Sequence, residues 1–229
     1  MTTVLITGAN RGLGLEFTRQ YLDAGAVVIA TARDPAAAVD LARIGAQCAG
    51  RLDSVPLSLP DEAGIASLAA HVAQRNCRLD LIVSNAGILV SGERFGGVRL
   101  ADLATSFAVN AAGPLLLVQA LAPHLALGAK VVMVSSTLGS LAATKTWNTP
   151  SYAISKAALD MVVRLTAAAL RGSASVIAID PGWVQTRMGG PRAPLAAADS
   201  VRDIRALVAR LAPSDSGRLV DRHGEPVAW

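Results

Sequence analysis

The chain has 229 residues, 52% of them apolar and 17% charged, so it can bury one large core and is too sparsely charged for long disordered tails. The net charge of +4 comes from scattered arginines and aromatics are only 3%, which argues against the dense basic stripe with stacking rings that nucleic acid requires. The longest apolar runs are broken by Gly, Pro, Gln or charge short of the roughly 18 residues of a membrane span, and no basic flank leads into a cleavable apolar segment.

The expectation is a soluble cytoplasmic protein without a membrane or nucleic-acid partner. Cys48 and Cys77 have no metal or CxxC spacing, and His71, His124 and His223 are dispersed, so no metal site is expected.

Residues 3–7 form a short β-branched run ending at Gly8, and a helical pattern follows from about residue 12 to 24. The turn between them, Thr7-Gly8-Ala9-Asn10-Arg11-Gly12-Leu13-Gly14, spaces its glycines as GxxxGxG. Glycine permits a close backbone approach, and the free N–H groups of the next helix suit a pyrophosphate; the bland alternative is a tightly packed turn. A second strand over 26–31 leads to Ala32-Arg33-Asp34-Pro35. At this tip a carboxylate would bind the ribose 2′-hydroxyl and an arginine a 2′-phosphate. Arg33, with Arg11 across the loop, therefore favours NADP(H) over NAD(H), whereas a one-residue shift would bring Asp34 to the ribose.

A helix over 35–44 and a third strand over 54–59 follow, and Pro60-Asp61-Glu62 opens another helix. The fourth strand, 79–83, runs into Ser84-Asn85-Ala86-Gly87, where small residues let backbone approach a cofactor or simply make a turn. A long helix is predicted over 101–126, with Asn110 in its middle and Pro114 four residues on. Such a kink beside an amide is a place for a water, against the alternative of a solvated outer-face asparagine.

The fifth strand, 130–134, ends in Ser135-Ser136-Thr137, where open parallel sheets hold ligands. Next comes Ser151-Tyr152-Ala153-Ile154-Ser155-Lys156 on a helix, which sets Tyr152 and Lys156 one turn apart on one face. A fixed ammonium beside the phenol is expected to lower its pKa from about 10 and make it an acid–base group. A sixth strand over 175–179 gives way to Asp180-Pro181-Gly182-Trp183-Val184-Gln185-Thr186 and a Gly/Pro-rich substrate loop at about 185–200, a candidate lid. A helix over 197–211, then residues 217–220, a turn at His223-Gly224 and the terminal Pro226-Val227-Ala228-Trp229 close the chain. Strands alternate with helices throughout, so the fold class is α/β, a single doubly wound parallel sheet over residues 1–229.

TGANRGLG, SNAG, Asn110, Ser136, Tyr152-x-x-x-Lys156 and Pro181-Gly182, in that order, resemble the short-chain dehydrogenase/reductase family across essentially the whole chain. The segments at 136–140 and 181–191 and the ending Asp-Arg-His-Gly-Glu-Pro-Val-Ala-Trp resemble its C-factor and sniffer-like carbonyl reductase subgroup. The resemblance implies a Rossmann fold and an oxidoreductase that reduces a ketone or aldehyde with NADP(H). Tyr152 is then the general acid/base, Lys156 binds the nicotinamide ribose and lowers the tyrosine pKa, Ser136 orients the carbonyl, and Asn110 holds a water leading to Lys156. The cofactor residues it implies are Gly8, Asn10, Arg11, Gly12, Leu13, Gly14, Arg33, Ser58, Leu59, Asn85, Ala86, Gly87, Tyr152, Lys156, Pro181, Gly182, Val184 and Thr186.

Three departures stand out. Ser84 replaces the usual Asn of Asn-Asn-Ala-Gly; Leu57-Ser58-Leu59 stands where Leu-Asp-Val is common, with Asp53 the other register; and the stretch between Ser136 and Tyr152 is about three residues longer than in many members. That extra loop, with Lys145, Trp147 and Asn148, would lie at the pocket entrance. Leu138, Trp147, Trp183 and Met188 would line an apolar pocket, which favours a hydrophobic carbonyl compound. The competing functions are an acyl-carrier ketoreductase and a non-catalytic dinucleotide-binding signalling protein. Pairing through the long helices would give a homodimer or a homotetramer.

Overall fold

The computed structural model describes residues 1–48 and 50–229. The strands are β1 (Thr3–Ile6), β2 (Val27–Ala32), β3 (Leu52–Pro56), β4 (Leu79–Ser84), β5 (Leu125–Val134), β6 (Ala174–Asp180) and β7 (Leu219–Asp221). They form one sheet in the order β3-β2-β1-β4-β5-β6-β7, and every strand pair in it is parallel. Parallel neighbours need crossovers, and α1 (Gly12–Asp23), α2 (Val39–Ala46), α3 (Glu62–Gln74), α4 (Leu100–Phe107), α5 (Gly113–Leu121), α6 (Pro150–Ala169) and α7 (Ala197–Arg210) supply them. The strand order reverses between β1 and β4, which opens a crevice beyond their carboxyl ends.

Period-two alternation sends side chains to two cores. Val4 and Ile6 join Phe17 and Leu22 of α1 and Ile204 and Leu207 of α7 on one face. Leu5, between them, joins Leu68 of α3, Leu117 and Leu121 of α5 and Val163 of α6 on the other. Central strands are buried on both sides, hence their near-continuous apolar runs.

The structure moves several predicted boundaries. The helix predicted over 35–44 becomes α2 at Val39–Ala46, because Asp34 and Pro35 first make a turn in which the Asp34 carboxylate accepts the Ala37 N–H at 3.1 Å. The third strand lies earlier than 54–59, ending at Pro56 before a turn in which the Asp61 N–H bonds the Ser58 carbonyl. Asp53 sits mid-strand opposite Ile29 and pairs with His71 of α3 and with Arg75 just past its end, at 2.6 and 2.8 Å, whereas Ser58 follows the end of the strand.

The helix predicted over 101–126 is four pieces: α4, a π-helical turn at Ala108–Ala112, α5 and a 3₁₀ turn at Ala122–His124, after which β5 begins at Leu125, five residues earlier than predicted. Taken together, Leu100–His124 is long and apolar enough to cross a membrane, with mean hydropathy 1.4, contrary to the expectation from the sequence. Its Leu117, Val118 and Leu121 are core residues and Ser106 and Asn110 are buried, while Leu100 and Phe107 are exposed. The predicted loop at 185–200 ends earlier, since 197–200 already belong to α7.

Candidate active site

The site is built where β1, β4, β5 and β6 end. Thr7 leaves β1 fully buried, and its hydroxyl accepts the N–H groups of Asn85 and Ala86, both at 3.0 Å. The Asn85 amide returns bonds to the carbonyls of Thr7 at 2.9 Å and Gly8 at 3.3 Å. These bonds clamp the predicted Ser84-Asn85-Ala86-Gly87 turn to the glycine loop, so it is more than a plain connection. Thr7 was not singled out from sequence; the signal was a polar residue closing an apolar strand.

Gly14 is the position where only hydrogen fits. A Cβ there would lie 2.2 Å from the Gly8 carbonyl oxygen and 2.6 Å from the Asn85 amide nitrogen. The first main-chain bond of α1 runs from the Leu15 N–H to the Arg11 carbonyl, which leaves the N–H groups of Gly12, Leu13 and Gly14 without helical partners. Thr186 reaches back across the crevice, its methyl 3.4 Å from where a Cβ on Gly12 would stand, and Val184 is buried and bridged to Leu195. Arg11 and Arg33 are exposed, Asn10 is half-buried, and Ser58 and Leu59 follow β3 beside the end of β2.

The second half gathers on β5 and α6. Ser136 caps a 3₁₀ turn, its hydroxyl accepting the Leu138 N–H at 3.1 Å, and it stands beside the Tyr152 phenol. A Cβ on Gly139 would come within 2.8 Å of the Lys156 and Ala157 backbone, so a missing side chain lets this turn lie flat on α6. Tyr152 is 8% exposed and Lys156 4%. The Lys156 ammonium donates to the Val134 carbonyl at 2.7 Å and lies 5.5 Å from the Tyr152 ring centroid.

Asn110, 1% exposed, is inside the π-helical turn and is not the solvated outer-face residue. Its amide oxygen accepts the Ile88 N–H at 2.8 Å; its nitrogen donates to the Ile88 carbonyl at 2.8 Å and the Ser155 hydroxyl at 2.9 Å. Ser155 in turn donates to the Tyr152 carbonyl at 2.7 Å. The wide turn replaces the expected proline kink, a local irregularity often found at functional sites.

Electrostatics here differ from expectation. Burial, reinforced by the nearby Asp180 carboxylate and opposed by the Ser136 hydroxyl, pushes the Tyr152 phenol up to about 12. The predicted lowering by Lys156 does not appear: the one influence that lowers the phenol is the Ser136 hydroxyl, and burial dominates it. Lys156 itself is pushed down to about 8 by burial, with the Asp160 carboxylate resisting. Asp160, one turn beyond Lys156, accepts the Ser135 hydroxyl at 2.6 Å, and burial raises its carboxyl to about 6. Burial also raises Asp180, whose carboxylate accepts the Gly182 N–H at 3.2 Å. Sequence reading missed both acids, although Asp160 follows Lys156 at helical i,i+4 spacing.

Of the side chains expected at the pocket entrance, Trp147 packs edge-on to Phe95 with centroids 5.2 Å apart, and the Trp183 indole donates to the Gly189 carbonyl at 2.8 Å. Trp147, Trp183 and Met188 are exposed and Leu138 is half-buried. The 183–196 loop is held by its own bonds, Gln185 N–H to the Leu195 carbonyl at 2.8 Å and the Gln185 amide to the Ala193 carbonyl at 2.9 Å.

A sequence model of the family described as short chain dehydrogenase matches residues 2–194. The C-signal protein of Myxococcus xanthus is 43% identical over 154 residues, which cover 66% of this chain and 93% of that one. Carbonyl reductase Sniffer of D. melanogaster superposes with a TM-score of 0.94 at 27% identity, over the full length of both chains. NADPH-bound carbonyl reductase from chicken fatty liver does so with 0.94 at 33%, over 100% of this chain and 99% of that one.

Proposed function

The chain belongs to the short-chain dehydrogenase family, and on that premise we propose that it reduces a hydrophobic ketone or aldehyde with NADPH, Tyr152 giving the proton. The observation that carries this reading is a buried phenol with the Ser136 hydroxyl beside it and a buried ammonium beneath it at 5.5 Å.

The crevice suits a dinucleotide. Gly14 lets the head of α1 lie against the Gly8 carbonyl and the Asn85 amide, and three N–H groups there are free for a diphosphate. Among the described residues neither Arg11 nor Arg33 forms an ion pair, while Asp34 is turned into its own loop by the Ala37 N–H. Two uncommitted guanidiniums and an occupied carboxylate favour a 2′-phosphate over a 2′-hydroxyl. A reduced nicotinamide, when bound, supplies the hydride.

The chain's own groups supply aim and charge. With its pKa raised to about 12, Tyr152 keeps its proton at neutral pH and can deliver it to an oxygen that is becoming an alkoxide. Ser136 offers that oxygen a second hydrogen bond. Lys156, tied to the Val134 carbonyl, sets positive charge where the phenolate forms. Asn110 fixes Ile88 and Ser155 around this group, and the open π-helical turn is where a water could join Lys156 to solvent.

The chain also exposes apolar side chains on α4, Leu100 and Phe107, and on α6, Ile154, Met161 and Leu165. Their helical spacing makes one stripe, and it fits a homodimer, or a tetramer built from it, in a cytoplasmic protein.

Tyr152→Phe tests the reading. NADPH affinity, followed by quenching of tryptophan fluorescence, should be unchanged, and turnover of aromatic aldehydes or quinones should fall by about 10² to 10⁴. A variant as fast as the parent would falsify the role of Tyr152. Binding with no turnover in the parent would instead favour the non-catalytic reading.

A further inference from the structure

Helix α6 begins without a cap of its own. Thr149, which precedes it, has a left-handed backbone with φ 40°, makes no side-chain cap bond, and buries its hydroxyl with no partner. The cap comes from elsewhere in the chain. Glu93, in the loop between β4 and α4, accepts the Ser151 N–H at 3.1 Å with one carboxylate oxygen and the Ser151 hydroxyl with the other. A carboxylate at a helix N-terminus satisfies free N–H groups and meets the positive end of the dipole.

Ser151 is the residue before Tyr152. The carbonyl of the same Glu93 accepts the Trp147 indole N–H at 3.3 Å, and Phe95, two residues on, packs edge-on to that indole at 5.2 Å. At its other end the segment is held at Ile88 by both polar atoms of Asn110. Residues 88–93 thus form a strap, fastened to the π-helical turn on one side of Tyr152 and to the head of its helix on the other.

Building on the reductase reading, we propose that Glu93 is a positioning residue for the reaction. Its carboxylate fixes the first turn of α6, and with it the Tyr152 phenol, while its backbone holds Phe95 and Trp147 as one aromatic wall at the mouth. It touches no reacting atom and acts through Ser151 and Trp147.

The test compares Glu93→Ala and Glu93→Gln with Tyr152→Phe in the full chain, with NADPH and 4-nitrobenzaldehyde as probes. Glutamine keeps the shape and can bond Ser151 through its oxygen and its amide. Displacing a catalytic group slightly can cost up to about 100-fold, so Glu93→Ala should lose about 10- to 100-fold in kcat while NADPH affinity stays within about twofold. Glu93→Gln should recover most of that loss. The emission of Trp147, isolated by difference from Trp147→Phe, should shift to the red in Glu93→Ala alone.

The proposal is overturned if Glu93→Ala keeps the parent kcat, or if kcat, NADPH affinity and melting temperature fall together and glutamine restores none of them. If Tyr152→Phe turns over like the parent, the underlying reductase reading fails instead.

Discussion

Lys156 keeps a charge inside the protein only with help. Burial pushes it down to about 8, and the nearest opposing influence is Asp160, one turn on and bonded to Ser135. If the ammonium must be present for turnover, the rate falls as pH rises through about 8. Asp160→Asn preserves the Ser135 bond, since an amide oxygen also accepts, but removes the negative charge. The alkaline limb of the kcat/KM profile should therefore move to lower pH, and an unmoved limb rejects the coupling.

Stability follows with its own sign. The Asp160 carboxyl is raised from 3.8 to about 6, so the folded chain binds more protons than the unfolded one within that window. Its contribution is fully present below 3.8 and is lost as pH rises through about 6. Urea denaturation between these values should show that slope in the parent and a flatter one in Asp160→Asn.

The Tyr152–Lys156 spacing was legible in the sequence, because helical periodicity alone brings the two together. The direction of the tyrosine shift was not, since it depends on burial and on Asp180, which arrives from a distant strand.

At the scale of elements, alternating strands and helices were readable because the central strands carry residues for two cores and the helices turn an apolar face to one of them. Helix ends were less so. Pro123 is the local sign that the helix stops, but the start of a strand at Leu125 is imposed by pairing with Leu79 of β4. The close approach of the Ser136 turn to α6 was equally hidden, although it rests on one glycine.

A side chain at Gly139 must displace backbone, since its Cβ would stand 2.8 Å from the Lys156 carbonyl carbon. Gly139→Ala should cost about 1–3 kcal/mol, the usual range for overpacking. It should also lower kcat by separating Ser136 from Tyr152. Thermal denaturation and NADPH oxidation measure the two effects, and a variant with parental melting temperature and kcat would show that the turn gives way freely.

For the whole molecule, α6 carries apolar side chains on two sides. Leu159, Val162, Val163 and Ala167 face the sheet, whereas Ile154, Met161 and Leu165 face outward beside Phe107 of α4. A surface stripe of this kind on the helix that carries Tyr152 and Lys156 is exposed to water at a cost unless a second copy covers it. In a two-fold pair each residue enters the interface twice, so one substitution places two charges in the contact. Leu165→Glu should therefore convert a species of twice 23.4 kDa into one of 23.4 kDa in sedimentation velocity at micromolar concentration. Leu165 lies outside both cores, so the separated chain should keep its far-ultraviolet circular dichroism. A parent that already sediments as a single chain, or a variant that stays paired, would mean that α4 and α6 are not the contact.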